Sequence, residues 1–342
     1  MLEHGGRPRA AALRYGCEPA QWLDLSTGLN PQPWLPSPAD AVAAAVALHV
    51  LPDDDDELRA AAQRYYGADV LAVAGSQAAI QQLPRLRRRS RVAVLAPSYA
   101  EHAYQWRRAG HEVTAIGAAQ GAAAAAHCEV LVVGNPNNPD GACFDADTLL
   151  GWHATLAARD GWLIVDEAFI DGERQRSLVA EASRREGLIV LRSLGKFFGL
   201  AGARVGFVGA SGGLRDRLAE ALGPWPIAGP SRVIAVAALA DRGWQSSARL
   251  RLHEQSHKLA ALLAMHGWEP RGGCALFQWL ATPQAARLHD ALARRAVLTR
   301  LFKSDDGTPA SLRFGLPPPD SWTRLGIALR DASRELRGGL AA

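Results

Sequence analysis

The chain has 342 residues, a formal net charge of +4 and 48% hydrophobic residues, which is sufficient for a large core and for two domains. No apolar run reaches the roughly 20 residues that cross a bilayer, and the N-terminus lacks the apolar stretch of a signal peptide. We therefore expect a cytoplasmic protein with no membrane partner. Four dispersed cysteines without zinc-like spacing argue against a disulfide framework or a metal. The arginine-rich run 85–91 has no interleaved aromatic residue, which argues against a nucleic-acid partner.

The N-terminal segment, residues 1–36, is rich in glycine and proline. This composition predicts little regular structure. A long irregular segment that a compact domain retains is usually functional or disordered. We expect this one to contribute to the active site and to the smaller of two domains.

The middle of the chain alternates short apolar runs with amphipathic stretches. The predicted strands are Val70–Val73, Val92–Leu95, Val113–Ile116, Val130–Val133, Leu163–Val165, Leu188–Leu191 and Val205–Val208. The predicted helices between them include His102–Ala109, Ala146–Ala158 and Leu178–Arg185. Strands that are apolar on both faces are typical of a parallel sheet covered by helices. The pattern predicts an α/β large domain, residues 37–243, with a mainly parallel seven-stranded sheet.

The C-terminal part, residues 244–342, has a different pattern. A long helix is predicted over Ser246–His266, and a last helix from about Ser321. Between them lie the predicted strands Leu276–Leu280, Val297–Leu301 and Leu312–Phe314. This order of elements predicts a smaller α+β domain.

The chain contains three lysines, and only Lys196 has a setting that suits chemistry. Lys258 falls in the long predicted helix, and Lys303 lies in a polar segment. Lys196 follows an apolar strand in a glycine-rich loop, where the backbone can approach a ligand closely. Its neighbours Phe197 and Phe198 can desolvate the ammonium, as an amine nucleophile requires. A surface loop without function is the alternative for this segment alone.

Three further segments place polar groups where predicted strands end. Asp166 ends an apolar strand, at the edge where open α/β sheets bind ligands, although an acid there can also simply cap a turn. The Asn-Pro turn 135–139 presents amide side chains to a ligand. Gly75 and Ser76 precede a predicted helix, whose first N–H groups can bind a phosphate.

Together, in this order, the four segments resemble the fold-type I enzymes that depend on pyridoxal 5′-phosphate (PLP). The resemblance implies the aspartate-aminotransferase fold and a homodimer. It also implies catalytic roles for Lys196 as the Schiff-base lysine, Asp166 as the partner of the ring nitrogen, and Tyr99 as the aromatic stacked on the ring. The other implied cofactor-binding residues are Gly75, Ser76, Gln77, Ser193 and Arg204 for the phosphate, and Asn138 for the ring oxygen O3′.

Two positions depart from the family pattern. The family usually has tyrosine where Phe169 stands, giving O3′ a second hydrogen bond. It also often has a tyrosine near the position of Leu51, which reaches the cofactor phosphate of the neighbouring subunit. Both departures concern the hydrogen bonds that hold O3′ and the cofactor phosphate in the family.

Within this family the chain resembles the histidinol-phosphate aminotransferases and the L-threonine O-3-phosphate decarboxylases of cobalamin synthesis. The lead His4-Gly5-Gly6 and the later segment 25–31 resemble the opening of the decarboxylases. The resemblance implies a phosphorylated amino-acid substrate, with amino transfer as the alternative to decarboxylation. The implied substrate-binding residues are His4, Gly5, Gly6, Asn30, Asn138, Arg300 and Arg313, of which Arg313 is the candidate for the α-carboxylate.

Overall fold

The computed structural model describes residues 4–53, 57–173, 177–303 and 309–338. Its α-helices are α1 Pro8–Tyr15, α2 Pro38–Val46, α3 Glu57–Tyr66, α4 Ser76–Gln82, α5 Glu101–Arg108, α6 Gly121–His127, α7 Ala146–Ala157, α8 Val179–Ala182, α9 Gly212–Leu222, α10 Gly229–Ala240, α11 Arg242–Met265, α12 Ala285–Ala293 and α13 Trp322–Gly338. Short 3-10 helices cover Pro19–Gln21, Ala47–His49, Leu83–Leu86, Ala118–Gln120, Ile170–Gly172, Ala201–Ala203 and Pro319–Ser321.

The β-strands are β1 Leu23–Asp24, β2 Leu71–Val73, β3 Arg91–Leu95, β4 Glu112–Ile116, β5 Val130–Gly134, β6 Trp162–Asp166, β7 Leu188–Ser193, β8 Gly206–Gly209, β9 Gly272–Cys274, β10 Phe277–Ala281, β11 Val297–Leu298, β12 Arg300–Phe302 and β13 Ser311–Gly315. The chain divides into two compact units. One comprises the described parts of 1–32, 139–141 and 249–342, and the other those of 33–138 and 142–248.

The larger unit contains a seven-stranded sheet in the order β2-β8-β7-β6-β5-β3-β4. The contacts among β3, β4, β5, β6 and β7 are parallel, while β8 is antiparallel to both β7 and β2. Every residue of β6 is buried, whereas β4 at the edge is largely exposed. This confirms the prediction of a mainly parallel seven-stranded sheet, because only central parallel strands need apolar residues on both faces.

Local sequence signals explain several helix ends. Ser37 and Asp40 cap α2 reciprocally, since the Ser37 hydroxyl accepts from the Asp40 amide at 3.2 Å and the Asp40 carboxylate accepts from the Ser37 amide at 2.9 Å. The Asp145 carboxylate accepts from the Thr148 amide at 2.6 Å at the start of α7. The predicted helices at 102–109 and 146–158 are confirmed, whereas α8 is shorter than the stretch 178–185 predicted.

The smaller unit corrects two predictions. Its four-stranded antiparallel sheet has the order β12-β13-β10-β9, and β11 pairs instead with β1 in a separate parallel pair. The prediction of a single strand over 297–301 is therefore wrong. The strand is interrupted at Thr299, and β11 and β12 belong to different sheets. The N-terminal segment is also more regular than predicted, since it contains α1. This helix begins with Pro8, and Gly16, with φ 77°, caps its C-terminus.

Candidate active site

A cavity of about 160 Å³ opens at the carboxyl ends of β5, β6 and β7, within the larger unit. Parallel neighbours end at one edge of a sheet, so residues far apart in sequence meet there. Eight of the nine predicted cofactor-binding residues line the cavity: Ser76, Gln77, Tyr99, Asn138, Asp166, Ser193, Lys196 and Arg204. The ninth, Gly75, is the residue before Ser76, at the start of α4.

Asp166 ends β6 and is buried beside a histidine that the sequence analysis missed. Its Oδ2 lies 2.8 Å from Nε2 of His102, and its Oδ1 accepts a hydrogen bond from the Ala168 amide at 3.1 Å. His102 is itself buried and stands on α5. A carboxylate held this way keeps a fixed orientation, which suits a partner for a cationic ring nitrogen.

Lys196 lies in the bend between β7 and β8 and lines the cavity with Phe169. Its ammonium nitrogen stands 5.4 Å from the centroid of the Phe169 ring, within the range of a cation–π contact. Phe169 is almost completely buried, so its ring forms an apolar wall of the cavity. The amine therefore lies at the wall of the cavity, where it can reach a bound cofactor.

The predicted phosphate-binding residues converge at the start of α4. Gly75 has φ 72°, and a Cβ atom added there would lie 2.8 Å from a terminal nitrogen of the Arg204 guanidinium. Glycine thus allows this close approach of a cation to the backbone. The Ser193 hydroxyl accepts from the Gly195 amide at 3.2 Å, so it is held near the same place. Cation, hydroxyl and helix N–H groups together fit a phosphate monoester.

Tyr99 is tied to the phosphate-binding segment through its hydroxyl. The hydroxyl donates to Oε1 of Gln77 at 3.1 Å, and Nε2 of Gln77 donates to Oε2 of Glu101 at 2.9 Å. Gln105 donates to the same carboxylate oxygen at 2.8 Å, and Glu101 and Gln105 are buried. The Gln77 side chain is therefore engaged within this network, which leaves its backbone N–H as the group suited to a phosphate.

The Asn-Pro turn brings its side chains to the cavity as predicted. Asn138 and its neighbour Asn137 both line it. Nδ2 of Asn137 donates to the Pro97 carbonyl at 2.7 Å, so this turn is joined to the segment that carries Tyr99. Asn138 is thereby positioned to reach a ring substituent of a bound cofactor.

The other six predicted substrate residues lie in the smaller unit, and three of them line a second cavity of about 650 Å³. His4, Gly5 and Arg300 line this cavity together with the cationic side chains of Arg7 and Arg14. Further cations on its wall are Arg287 and Lys303. Such a concentration of positive charge favours an anionic ligand.

Three predicted residues of the smaller unit do not line the second cavity. The Gly6 amide donates to the Ser26 hydroxyl at 2.8 Å, and Oδ1 of buried Asn30 accepts from the Gln32 amide at 2.9 Å. Arg313 on β13 is buried, and one of its terminal nitrogens donates to the Ser26 carbonyl at 2.7 Å. Burial lowers the pKa of the Arg313 guanidinium to about 10, which still leaves it charged at neutral pH.

Sequence reasoning missed the groups that orient the predicted residues, above all His102 and Glu101. A signal existed for the first, because His102 follows Tyr99 by three residues, and the His102 amide donates to the Tyr99 carbonyl at 3.1 Å in the turn that leads into α5. The rings are 6.0 Å apart and nearly perpendicular. No comparable signal links Glu101 to Gln77, which lies 24 residues away.

No described helix is long and apolar enough to cross a membrane. Among the same residues, no group of three or more His, Cys, Asp or Glu side chains could hold a metal ion.

Comparison with known proteins gives close relatives over nearly the whole length. The chain is 55% identical to the threonine-phosphate decarboxylase of Pseudomonas aeruginosa over 332 residues, covering 96% of this chain and 97% of that protein. It is 42% identical to the threonine-phosphate decarboxylase of a Sinorhizobium species, covering 93% and 94%.

A solved structure shows the same fold. Histidinol-phosphate aminotransferase from Sinorhizobium meliloti, in complex with pyridoxal-5′-phosphate, superimposes with a TM-score of 0.85 at 20% identity, covering 98% of this chain and 96% of that one. Residues 20–323 match the family Aminotransferase class I and II, which confirms the expected fold and PLP as the family's cofactor. The chain belongs to the aminotransferase class I and II family.

Proposed function

We propose that the chain decarboxylates L-threonine O-3-phosphate to (R)-1-amino-2-propanol O-2-phosphate in cobalamin biosynthesis, with PLP as cofactor. The observation that carries this proposal is the 55% identity, over nearly the full length of both chains, to a threonine-phosphate decarboxylase. The cavity at the ends of β5, β6 and β7 supports it, because its residues fit the cofactor one by one.

Each cofactor-binding residue has a distinct task in this proposal. Lys196 would supply the amine that holds the cofactor. Asp166, held by His102 at 2.8 Å, keeps a positive charge on the ring nitrogen. When bound, PLP supplies the electron sink for the bond that breaks at the substrate's α-carbon. Arg204, Ser193 and the backbone at Gly75 hold the cofactor phosphate.

Anchoring of the substrate's two anionic groups selects the bond that breaks. Residues that hold the substrate carboxylate in one fixed orientation against the bound cofactor would direct the reaction to CO2 release. We assign the carboxylate to Arg313 and the substrate phosphate to His4, Gly5, Gly6 and Asn30, with Arg300 and Asn138 as additional donors. The cations around the second cavity support an anionic substrate.

The proposal includes a homodimer in the cytoplasm. Apolar side chains stand exposed on and around α2: Leu35, Val42, Val46, Leu48, Val50 and Leu51. An exposed apolar patch of this kind commonly marks a protein–protein interface. Size measurement at several protein concentrations tests the dimer directly.

Product analysis tests the activity. Incubation with L-threonine O-3-phosphate should release one CO2 for each aminopropanol phosphate formed, and threonine without phosphate should react poorly. Lys196→Ala is the control for catalysis at this site. Efficient amino transfer from glutamate to imidazole-acetol phosphate, with no CO2 from threonine phosphate, would show the assignment to be wrong while leaving the PLP fold intact.

A further inference from the structure

A second group of charged residues lies directly behind the cavity, on the opposite side of the same strand ends. Glu167 follows Asp166 after β6, and Arg192 precedes Ser193 in β7. Successive residues of a strand point to opposite faces, so these two side chains point away from the cavity. Asp171 joins them from the short 3-10 helix that follows Phe169.

Burial of this group is nearly complete. The side chains of Arg192, Glu167 and Asp171 are 4%, 0% and 2% exposed. Charges removed from water to this extent need close partners, because an uncompensated buried charge is strongly destabilising. A core of apolar side chains would fill the same volume without that demand.

The partners form one connected network. Arg192 lies 3.3 Å from the Glu167 carboxylate with one terminal nitrogen, and it pairs with Asp171 through the other. The first nitrogen also donates to the Ser177 hydroxyl at 2.7 Å, and Ser177 in turn donates to Glu167. The Leu178 amide donates to the other Glu167 oxygen at 2.8 Å.

Two tyrosines of α3 complete the network. The Tyr65 hydroxyl donates to Asp171 at 2.8 Å, and the Tyr66 ring lies 4.8 Å from the Arg192 guanidinium carbon. The two carboxylates raise the pKa of Arg192 in spite of its burial. Arg192 therefore stays charged over the whole physiological pH range, and the two carboxylates fix the position of its guanidinium.

The network joins the segments that carry the cofactor-binding residues. Glu167 is next to Asp166 and Arg192 is next to Ser193, while Asp171 stands two residues after Phe169, which forms a wall of the cavity. Tyr65 also contacts Phe198 in the Lys196 loop, with ring centroids 5.9 Å apart. A shift of Arg192 would thus move both strand ends.

We propose that Arg192, Glu167 and Asp171 are positioning residues that fix the distance between Asp166 and the Ser193–Lys196 loop and so set the affinity for the cofactor. None of the three touches the cofactor itself in this role. The inference rests on PLP as the cofactor and not on which phosphorylated substrate is used. Its test therefore measures cofactor binding and requires no substrate.

The chain offers a matched control in Arg87. Its side chain is 6% exposed, pairs with Asp160 at 3.9 Å and lies 5.0 Å from the Trp162 ring centroid. Trp162 begins β6, whereas Asp166 ends it, so Arg87 is an arginine with a buried side chain at the opposite end of the same strand, paired with an exposed carboxylate. Arg87→Met should reduce stability without moving the cofactor-binding residues.

The experiment titrates PLP into the apoprotein by visible absorbance and measures the unfolding midpoint of each variant. Arg192→Met should weaken PLP binding about 10- to 100-fold, the scale of one charge-assisted hydrogen bond. Arg87→Met should leave the dissociation constant within about twofold, since it removes a buried guanidinium far from the site. Arg192→Lys, which can pair with only one of the two acids at a time, should give an intermediate affinity.

A milder variant keeps the proposal testable if Arg192→Met does not fold. Tyr65→Phe removes a single hydroxyl that donates to Asp171, and it should weaken PLP binding about threefold to tenfold. Equal losses of affinity in the Arg192 and Arg87 variants would overturn the proposal, as would unchanged affinity in Tyr65→Phe. Failure of the unmodified chain to bind PLP would instead refute the cofactor assignment, before any variant is compared.

Discussion

His102 and Asp166, 64 residues apart in the sequence, meet through Nε2 and Oδ2 at 2.8 Å in the buried floor of the cavity. The histidine comes from α5 and the carboxylate from the end of β6. This contact fixes which way the carboxylate faces. We expect His102→Phe to slow turnover about 10- to 100-fold, because it removes one hydrogen bond to a buried charge.

Measuring the PLP content of the His102 variant distinguishes slower turnover from a failure to bind the cofactor. His102→Phe should still bind the cofactor, with a shifted visible spectrum, whereas Asp166→Ala should lose most activity. His153, which is also buried but bonds to the Glu186 carbonyl, provides the control variant His153→Phe. Equal turnover in the His102 variant and the unmodified protein would show that the contact between His102 and Asp166 does not contribute to catalysis.

Lys196 should be the residue that holds the cofactor covalently. Among the three lysines only Lys196 lines the cavity with Asp166, while Lys258 stands over the Trp322 ring at 4.4 Å in the other unit. Borohydride reduction followed by peptide mapping should therefore find the label on Lys196 alone. A labelled peptide containing Lys258 or Lys303 would contradict the central assignment.

Phe169→Tyr should change the titration of the bound cofactor. Phe169 lines the cavity near Lys196, and an added hydroxyl there could donate to the cofactor's phenolate oxygen. Stabilising that negative charge should lower the pKa of the Lys196-linked chromophore. Spectrophotometric titration measures this pKa, and Phe169→Leu controls for the loss of the ring. An unchanged or raised pKa in the tyrosine variant would mean that position 169 does not face this oxygen.

Arg313→Lys should weaken substrate binding while leaving PLP content intact. Lysine keeps the charge but loses the planar fork that binds a carboxylate with two hydrogen bonds. The loss of such a buried partner amounts to about 2–5 kcal/mol, which should appear as a large rise in KM. The same substitution at Arg300 gives the comparison. Near-normal kinetics in the Arg313 variant would transfer the carboxylate-binding role to Arg300.

Gly5→Ala tests the N-terminal segment. A Cβ atom added at Gly5 would lie closer than 3.0 Å to the Ser26 carbonyl, so the segment must move away from it. Overpacking of this kind costs about 1–3 kcal/mol, and we expect decarboxylation to fall by about tenfold or more with PLP binding unchanged. Gly151→Ala is the control, because its added Cβ would meet no atom within 4 Å. Unchanged decarboxylation would exclude this segment from substrate binding.

Local sequence pattern was sufficient for the large sheet and for the residues at its edge. The strands β3, β5, β6 and β7 appear as short apolar runs because a central parallel strand is covered on both faces. Asp166 and Lys196 could be singled out because each follows such a run, where ligands of open α/β sheets bind. Local composition also explains why α1 was missed, since its single buried pair, Ala11 and Ala12, leaves little periodicity.

The tertiary structure alone decided which distant residues meet. His102 with Asp166, and Arg192 with Glu167 and Asp171, are contacts between separate elements, and no spacing within one element encodes them. The antiparallel direction of β8 and the split between β11 and β12 likewise depend on the partner strand each run finds. A short apolar run indicates that the strand will be buried. Which strand it pairs with is decided by the packing of the whole unit, because the hydrophobic effect is not directional.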